Sequence, residues 1–200
     1  HQIPASNDVM LSAMLSGLTA ETRSLSRIPD DMDILCQTLE SAQDCDIIVT
    51  IGGASVGDHD LVGPAFRKLG AEIDFYKIAM KPGKPVMAGK LGETVILALP
   101  GNPASAFVAA TLFLLPLIRF MAGAADYLPV YQGAPTTEAL PANGPRAQFL
   151  RAKVDQAGIT PFNSQDSAKL SVLAAANALL FRPADASTAD VGEMVPYIVV

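Results

Sequence analysis

The stretch Ile47-Ile48-Val49-Thr50-Ile51, followed by Gly52 and Gly53, decides the fold class of this chain. Five β-prone residues without polar alternation predict a strand that is buried on both faces, as in the centre of a parallel sheet. Apolar residues at helical spacing precede this strand over 32–39 and follow it over 61–69. Strands that alternate with helices predict an α/β fold, in which helices cover both faces of a parallel-rich sheet.

Outward from this strand, the same alternation continues through the first 121 residues. Ser6 or Asn7 is predicted to cap a first helix, because both residue types accept hydrogen bonds from a free helical N–H. A weak strand is predicted over 22–28, before the helix that starts near Asp31. The remaining predictions are strands at 73–80, 86–88 and 94–99 and an apolar helix over 104–121.

Past Gly123 the pattern changes, because Pro and Gly recur and helical periodicity becomes scarce. Short β-like runs replace it, at 128–131, 148–154, 178–181 and 195–200. We therefore predict two domains, an α/β domain over 1–121 and a small β-rich, barrel-like domain over 122–200.

Composition excludes several classes of protein. Of the 200 residues, 50% are apolar and 17% charged, which excludes intrinsic disorder. A net charge of −6 argues against non-specific binding to nucleic acid or to an anionic membrane. Cys36 and Cys45 form neither a disulfide framework nor a metal-ligand spacing, as in a reducing cytoplasm. The apolar run 103–118 is shorter than the ~20 residues of a membrane span, so we expect a core helix, and the first eight residues show no signal-peptide pattern.

The first candidate binding loop is the glycine-rich segment GGASVGDHD, residues 52–60, between the buried strand and a helix. Ligands bind at the carboxyl ends of strands in open α/β sheets, and glycines let backbone N–H groups approach a phosphate or another oxyanion. A tight strand-to-helix turn explains the same glycines equally well. Asp58 and Asp60 are likewise either ligands or helix caps, and His59 between them is typical of a solvated surface residue.

Two further loops have the composition of oxyanion sites. In MKPGKP, residues 80–85, two prolines and a glycine present Lys81 and Lys84 from a stiff turn, although surface turns with lysines are common. LPGNPASA, residues 99–106, follows a strand and opens a helix, where free N–H groups and the Ser105 hydroxyl suit an anion. The alternative there is an ordinary helix start with a proline and a serine cap.

The motif Pro29-Asp30-Asp31 precedes a helix, and such acids are most often caps. Beside lysine-bound oxyanions, one of the two carboxylates is instead suited to hold Mg²⁺ or to act as an acid or base. Arg146, Arg151 and Ser167 individually read as surface residues, although a guanidinium fits an oxyanion well.

Together and in this order, these loops resemble the molybdopterin molybdenumtransferase family of molybdenum cofactor biosynthesis, which includes the enzymatic domain of gephyrin. The early SN (6–7) and the later QFLRA (148–152) and QDSAKLSVLAAANALL (165–180) extend the resemblance over nearly the whole chain. It implies a domain shared in fold with molybdopterin adenylyltransferases, a small barrel-like domain and a homodimer. It also implies that adenylylated molybdopterin is hydrolysed and molybdate inserted into its dithiolene, with Mg²⁺ or another divalent cation and release of AMP. A molybdopterin adenylyltransferase is a candidate protein partner.

The resemblance assigns roles to individual residues of this chain. Catalytic roles fall to Asp30, Asp60, Lys77 and Lys81, and Asp30 also supports the metal. Molybdate would be contacted by Lys81, Ser105, Arg151 and Ser167. Molybdopterin would be bound by Gly52, Gly53, Ser55, Gly57, Asp58, Pro100, Gly101, Asn102 and Pro103.

Two departures from the family pattern stand out. Asp58 occupies a position that is often Glu, and a shorter carboxylate holds water or a metal differently. The family's first two domains and a first strand with a TGDE-like turn are not in this sequence, so the 200 residues alone are expected to be inactive. Two alternatives stay open, a molybdopterin adenylyltransferase-like enzyme and a non-catalytic, gephyrin-type scaffold module; the appended β domain and KPGKP favour molybdate insertion.

Overall fold

The computed structural model describes residues 6–19, 21–25, 27–53, 60–167 and 169–200. The elements of the first half are α1 (Ser6–Leu15), α2 (Met32–Ser41), β1 (Ile47–Ile51), α3 (Val62–Lys68), β2 (Glu72–Tyr76), β3 (Met80–Lys81), β4 (Met87–Leu91), β5 (Thr94–Leu99), α4 (Pro103–Ala109), a π-helical turn (Ala110–Leu114) and α5 (Leu115–Met121). The elements of the second half are β6 (Gln132–Pro135), β7 (Ala147–Asp155), β8 (Gly158–Pro161), α6 (Leu170–Ala175), β9 (Ala178–Arg182) and β10 (Met194–Val199).

The first sheet confirms the α/β class, with helices on both faces. Its central strand β5 alternates, so that Ile96 and Ala98 pack with α2 and α3 while Leu97 and Leu99 pack with α1 and the long helix from α4 to α5. The two apolar clusters bury both faces of the same strand. This is why the sequence of β5 has no polar alternation.

The strand pairing differs from the predicted parallel-rich sheet. The order is β1-β5-β4-β2, and of the described strand pairs in this sheet only β1–β5 is parallel, whereas β4 runs antiparallel to both β5 and β2. The reason is the tight turn between Leu91 and Thr94, which face each other across the hairpin. Gly92 there has a φ of +61°, a conformation that suits the short connections joining antiparallel strands.

Strand β1 lies at an edge of the first sheet as described, although its sequence is typical of a central strand. The predicted weak strand over 22–28 is absent from the described residues of that segment, which have no regular secondary structure. A strand forms only where its backbone N–H and C=O groups find a partner strand. Within the described chain β1 pairs with β5 alone.

One continuous helix of 19 residues, Pro103–Met121, follows β5. It is long and apolar enough to cross a membrane by length and composition, yet 56% of its apolar window is buried inside the protein. Its middle widens into the π-helical turn just before Pro116. A proline inside a helix lacks an N–H and crowds the carbonyl four residues earlier, and a wider turn relieves both problems.

The second half forms a sheet with the order β3-β7-β9-β10-β6, in which β8 also pairs with β7. This sheet fits the predicted β-rich domain, but no closed barrel is present in the described chain. The closest approach to closure is one isolated bridge between Thr136 and Ile159. The strand β3 comes from the first half and runs parallel to β7, so the MKPGKP loop starts on the second sheet. The division at 121–122 stays a prediction.

Candidate functional site

The glycine-rich loop after β1 and the loop after β5 touch each other. A Cβ atom added to Gly101 would lie 3.2 Å from the Cα of Gly52, closer than nearly all real Cβ contacts. The backbone N–H of Gly52 donates to the carbonyl of Leu99 at 2.9 Å, and the side-chain amide of Asn7 donates to the carbonyl of Gly101 at 2.7 Å. Parallel pairing of β1 and β5 therefore brings both predicted binding loops to one edge of the sheet.

Asn102 caps the long helix. Its Oδ1 accepts hydrogen bonds from the backbone N–H of Ser105 at 3.3 Å and from the Ser105 hydroxyl at 3.5 Å. Pro103 occupies the first helical turn, where a missing N–H costs no helical hydrogen bond. The cap is therefore Asn102 rather than a serine. The long contact of the Ser105 hydroxyl leaves it available to a ligand.

The MKPGKP loop lies against the start of this helix. Gly83 is buried with a φ of +101°, and a Cβ added to it would lie 2.7 Å from the Cε of Met80 and 3.5 Å from the carbonyl oxygen of Ser105. The backbone conformation favours glycine there, because side chains of L residues rarely adopt this φ, and any Cβ would also have to displace the end of the Met80 side chain. Three sequence-distant loops thus meet around Gly52, Ser105 and Gly83.

The predicted lysines of this region are both exposed. Lys81 pairs with Gln148 across the β3–β7 ladder, so its position is fixed by the second sheet. Lys77 has a φ of +72°, and its ammonium lies 4.9 Å from the centre of the Tyr76 ring. A cation over an aromatic face is an ordinary stabilising contact. Lys81 thus stands at the start of one of the three loops that meet, whereas the Lys77 ammonium lies over the ring of Tyr76.

The Pro29-Asp30-Asp31 motif separates into a cap and an exposed acid. Asp31 caps α2, since its Oδ1 accepts from the backbone N–H groups of Asp33 at 2.9 Å and Ile34 at 3.0 Å. Asp30 is exposed and makes no hydrogen bond within the described ranges. Capping therefore explains Asp31 but not Asp30. The motif follows no strand in the described chain, contrary to the expectation that it ends one.

Asp60 stands at the end of the glycine-rich loop with a buried carboxylate. Neither of its oxygens makes a hydrogen bond of normal geometry with a described residue, and no side-chain hydrogen bond caps α3. The N–H of Val62 is near enough to lower the pKa of Asp60 by a small amount, but not to form a regular cap, and burial outweighs it and raises that pKa. A Cβ added to Gly53 would lie 3.6 Å from Oδ1, which places this carboxylate on the loop.

Arg151 in β7 is buried, with 1% exposure, and does not lie at the surface. Its Nε donates to Oε1 of Gln165 at 3.3 Å and its Nη1 to the carbonyl of Asp166 at 3.0 Å. No carboxylate lies within ion-pair distance of the guanidinium in the part of the chain that the structure describes. Burial lowers the pKa of the Arg151 guanidinium, and the negative charge of the Asp166 carboxylate opposes this with a smaller effect. Buried cations in proteins are normally paired with an anion, and Arg151 has no such partner among the described residues.

The register of the second sheet relates Arg151 to the strand that leads into the MKPGKP loop. Strands β3 and β7 are parallel, with Lys81 opposite Gln148. Arg151 lies three residues further along β7, so its side chain is on the opposite face of the sheet from those of Gln148 and Lys81. The helix α6 contacts both α4 and β7. Ser167, half-buried, follows directly on Asp166, whose carbonyl holds Arg151. The second half therefore brings Ser167 close to Arg151, and the register by itself does not bring Lys81 to them.

Four of the residues predicted to bind molybdopterin remain to be located. Ser55, Gly57 and Asp58 lie outside the described residues, so their predicted roles stay predictions. Pro100 is buried directly after β5. The sequence analysis assigned no ligand role to three further polar groups, Ser6 Oγ, Asn7 Oδ1 and Thr50 Oγ1. Their atoms are buried and have no hydrogen-bond partner in the described chain, a property that only the tertiary structure reveals. Cys36 and Cys45 are free thiols.

Comparison with known proteins assigns both halves of the chain. Residues 1–119 match the family model described as a probable molybdopterin binding domain, and residues 133–200 match the MoeA C-terminal region (domain IV). The chain is 35% identical over 192 residues to molybdopterin molybdenumtransferase 2 of Mycobacterium tuberculosis, covering 92% of this chain and 47% of the relative. It is 30% identical over 202 residues to the molybdopterin molybdenumtransferase of Staphylococcus aureus, covering 98% and 48%.

Solved structures agree with this assignment. A molybdopterin biosynthesis moeA protein from Pyrococcus horikoshii superposes with a TM-score of 0.80 at 26% identity, over 99% of this chain and 47% of that chain. A molybdenum cofactor biosynthesis protein from Pyrococcus furiosus shares the fold, with a TM-score of 0.79 at 23% identity, over 98% and 64%. The chain thus belongs to the molybdopterin-binding family. Its combination with a MoeA C-terminal domain is that of the molybdopterin molybdenumtransferases, and it spans about half the length of these curated relatives.

Proposed function

We propose that this chain forms the molybdate-inserting part of a molybdopterin molybdenumtransferase. In this reaction adenylylated molybdopterin is hydrolysed, AMP is released and molybdate enters the dithiolene. The observation that carries the proposal is the meeting of the three predicted loops. Gly52 touches Gly101, and Gly83 lies against Ser105, although these pairs are far apart in sequence. Loops that meet at one sheet edge and carry free polar groups are typical of a ligand site.

Each substrate part has a matching set of groups. The backbone N–H groups of Gly53, Gly101 and Asn102 suit the phosphates and pterin of the nucleotide-linked substrate, whereas the N–H of Gly52 already donates to the Leu99 carbonyl. The tetrahedral molybdate would be held by Lys81, Ser105, Arg151 and Ser167, of which Arg151 is a buried cation without an ion-pair partner in the described chain. A fixed array of cationic and hydroxyl donors orients an oxyanion before reaction, which lowers the entropy cost of its insertion.

The proposal includes a divalent cation such as Mg²⁺, for which two carboxylates of this chain are candidates. The buried carboxylate of Asp60 has no hydrogen-bond partner in the described ranges, which suits a cation, and Asp30 is free of capping. No group of three or more His, Cys, Asp or Glu side chains is clustered for a metal in those ranges. Mg²⁺ is usually held by one or two carboxylates together with substrate phosphates, so such a cluster is not needed. When bound, the cation would neutralise phosphate charge.

The other expectations from the family stay proposals. We expect a homodimer in the cytoplasm, a molybdopterin adenylyltransferase as protein partner, and neither nucleic acid nor membrane as a ligand. Between molybdate insertion and molybdopterin adenylylation, the match of residues 133–200 to the MoeA C-terminal region favours insertion. The pairing of β3 with β7 supports the same choice, because it ties Lys81 to that domain.

The test uses Lys81→Ala in the whole protein, with Lys90→Ala as the matched control. Lys90 is also an exposed lysine, but it lies on β4 opposite Val95. Loss of one charged donor to an oxyanion removes about 1.5–3 kcal/mol, so the molybdate concentration needed for half-maximal AMP release should rise by roughly one to two decades. Excess molybdate should partly restore turnover. An equal molybdate requirement in both variants would overturn the assignment of the oxyanion site.

A further inference from the structure

The side chain of Gln165 makes most of the described hydrogen bonds that fasten the segment carrying Ser167 to β7. Its Oε1 accepts from the backbone N–H of Arg151 at 3.0 Å and from Arg151 Nε at 3.3 Å. Its Nε2 donates to the carbonyl of Arg151 at 3.0 Å and to the carbonyl of Phe162 at 2.8 Å. Both ends of the amide are therefore used, and the Arg151 side chain is held at its Nε.

These contacts orient the guanidinium without neutralising it. The hydrogen-bond partners of the Arg151 side chain within the described chain are the neutral amide of Gln165 and the neutral carbonyl of Asp166. They occupy Nε and Nη1 and leave the Nη2 amino group for another acceptor. A guanidinium presents its donors in a fixed fork, so fixing Nε also fixes the direction of Nη2.

We propose that Gln165 is a positioning residue that aims Arg151 at a tetrahedral oxyanion and, because it is neutral, keeps the arginine's charge available to that oxyanion. The proposal rests on the proposed function and deepens it, since the oxyanion there is molybdate. A glutamate at this position has nearly the same shape, but it would pair with the guanidinium and cancel the charge that attracts an anion. Neutrality is thus the chemical property that the site requires.

The experiment is Gln165→Glu in the whole protein, with molybdate binding measured by calorimetry and tungstate as a second tetrahedral probe. The glutamate gives up the two donated hydrogen bonds but gains an ion pair with Arg151, so the melting temperature should stay within a few degrees of that of the original protein. The dissociation constant for both oxyanions should rise about ten- to hundredfold. In turnover, the KM for molybdate should rise while kcat at saturating molybdate is largely kept.

Asn177→Asp is the matched control. The amide of Asn177 also fastens β7, since its Oδ1 accepts from the backbone N–H of Val154 at 2.8 Å and its Nδ2 donates to the Val154 carbonyl at 2.9 Å. It has no arginine side chain among its described hydrogen-bond partners. This variant should lose as much thermal stability as Gln165→Glu or more, yet bind molybdate within twofold of the original protein.

The outcomes separate this proposal from the proposed function. If Gln165→Glu binds molybdate as tightly as the original protein, Gln165 is only a structural clamp and the inference is overturned while the function stands. If the original protein binds the oxyanions but releases no AMP, and Gln165→Glu still loses binding, the inference holds and the function fails. If the original protein binds neither oxyanion, both are overturned. Equal loss of affinity in Asn177→Asp would also overturn the inference, because it would trace the effect to stability.

Discussion

At the scale of single residues, two neighbouring acids perform different tasks. Asp31 caps α2, whereas Asp30 is exposed and uninvolved in capping. Loss of a cap costs about 1 kcal/mol, so Asp31→Ala should lower the free energy of unfolding by that amount in urea titration. Asp30→Ala should leave that free energy unchanged but abolish AMP release by the whole protein. Normal AMP release by Asp30→Ala would remove Asp30 from the catalytic set.

The buried carboxylate of Asp60 predicts a dependence of stability on pH. Burial raises its pKa above the ordinary value of about 4, so the folded state binds the proton more tightly than the unfolded state. Stability from this group is therefore present below the unfolded pKa and is lost as the pH rises through the folded pKa. Asp60→Asn should raise the melting temperature at pH 7 and leave it unchanged near pH 3. An equal effect at both pH values would contradict this titration.

At the scale of elements, the contact between the loops after β1 and β5 depends on Gly101 having no side chain. Gly101→Ala would place a Cβ 3.2 Å from the Cα of Gly52, so the two loops must move apart. Overpacking of this kind costs about 1–3 kcal/mol, and ligand affinity should fall with it. Gly144→Ala is the control, because a Cβ there meets nothing within 4 Å. Chemical denaturation of both variants compares the costs, and equal costs would argue against a constrained crossing.

At the scale of the whole molecule, the chain spans about half the length of its curated relatives. We expect the isolated 200 residues to fold but to release no AMP with molybdate and Mg²⁺. A site that lacks part of its groups loses positioning, which supplies about 7–11 kcal/mol of a barrier. Comparison of AMP release between the isolated chain and the whole protein measures this. Equal rates would show that the catalytic set lies wholly within residues 1–200.

The edge position of β1 predicts self-association of the isolated chain. An apolar strand with a free edge pairs readily with another chain, and a lysine on such an edge prevents this. Ile51→Lys, at the exposed end of β1, should therefore shift the chain toward monomer in size-exclusion chromatography. Val199→Lys changes an exposed residue of β10, which lies inside the second sheet and should not alter association. A monomeric starting chain would refute the prediction.

Local sequence was sufficient to predict the α/β class, the strand β5, the long core helix and the positions of the three loops that meet. Apolar periodicity and the conformational limits of Gly and Pro act over a few residues, so they are visible in the sequence itself. The different roles of Asp30 and Asp31 were not predictable from the sequence, because either acid satisfies the same capping pattern. The antiparallel β4–β5 pair was missed although Gly92 marks its turn.

Tertiary structure alone decided which distant groups meet and which charges stay uncompensated. Strand pairing between β1 and β5 brings Gly52 to Gly101, and pairing between β3 and β7 brings the KPGKP loop to the domain that holds Arg151. In the sequence Arg151 reads as a surface residue, whereas its 1% exposure and its clamp by Gln165 follow from long-range packing. Burial and ion pairing are properties of the surroundings in space, and no local pattern encodes them.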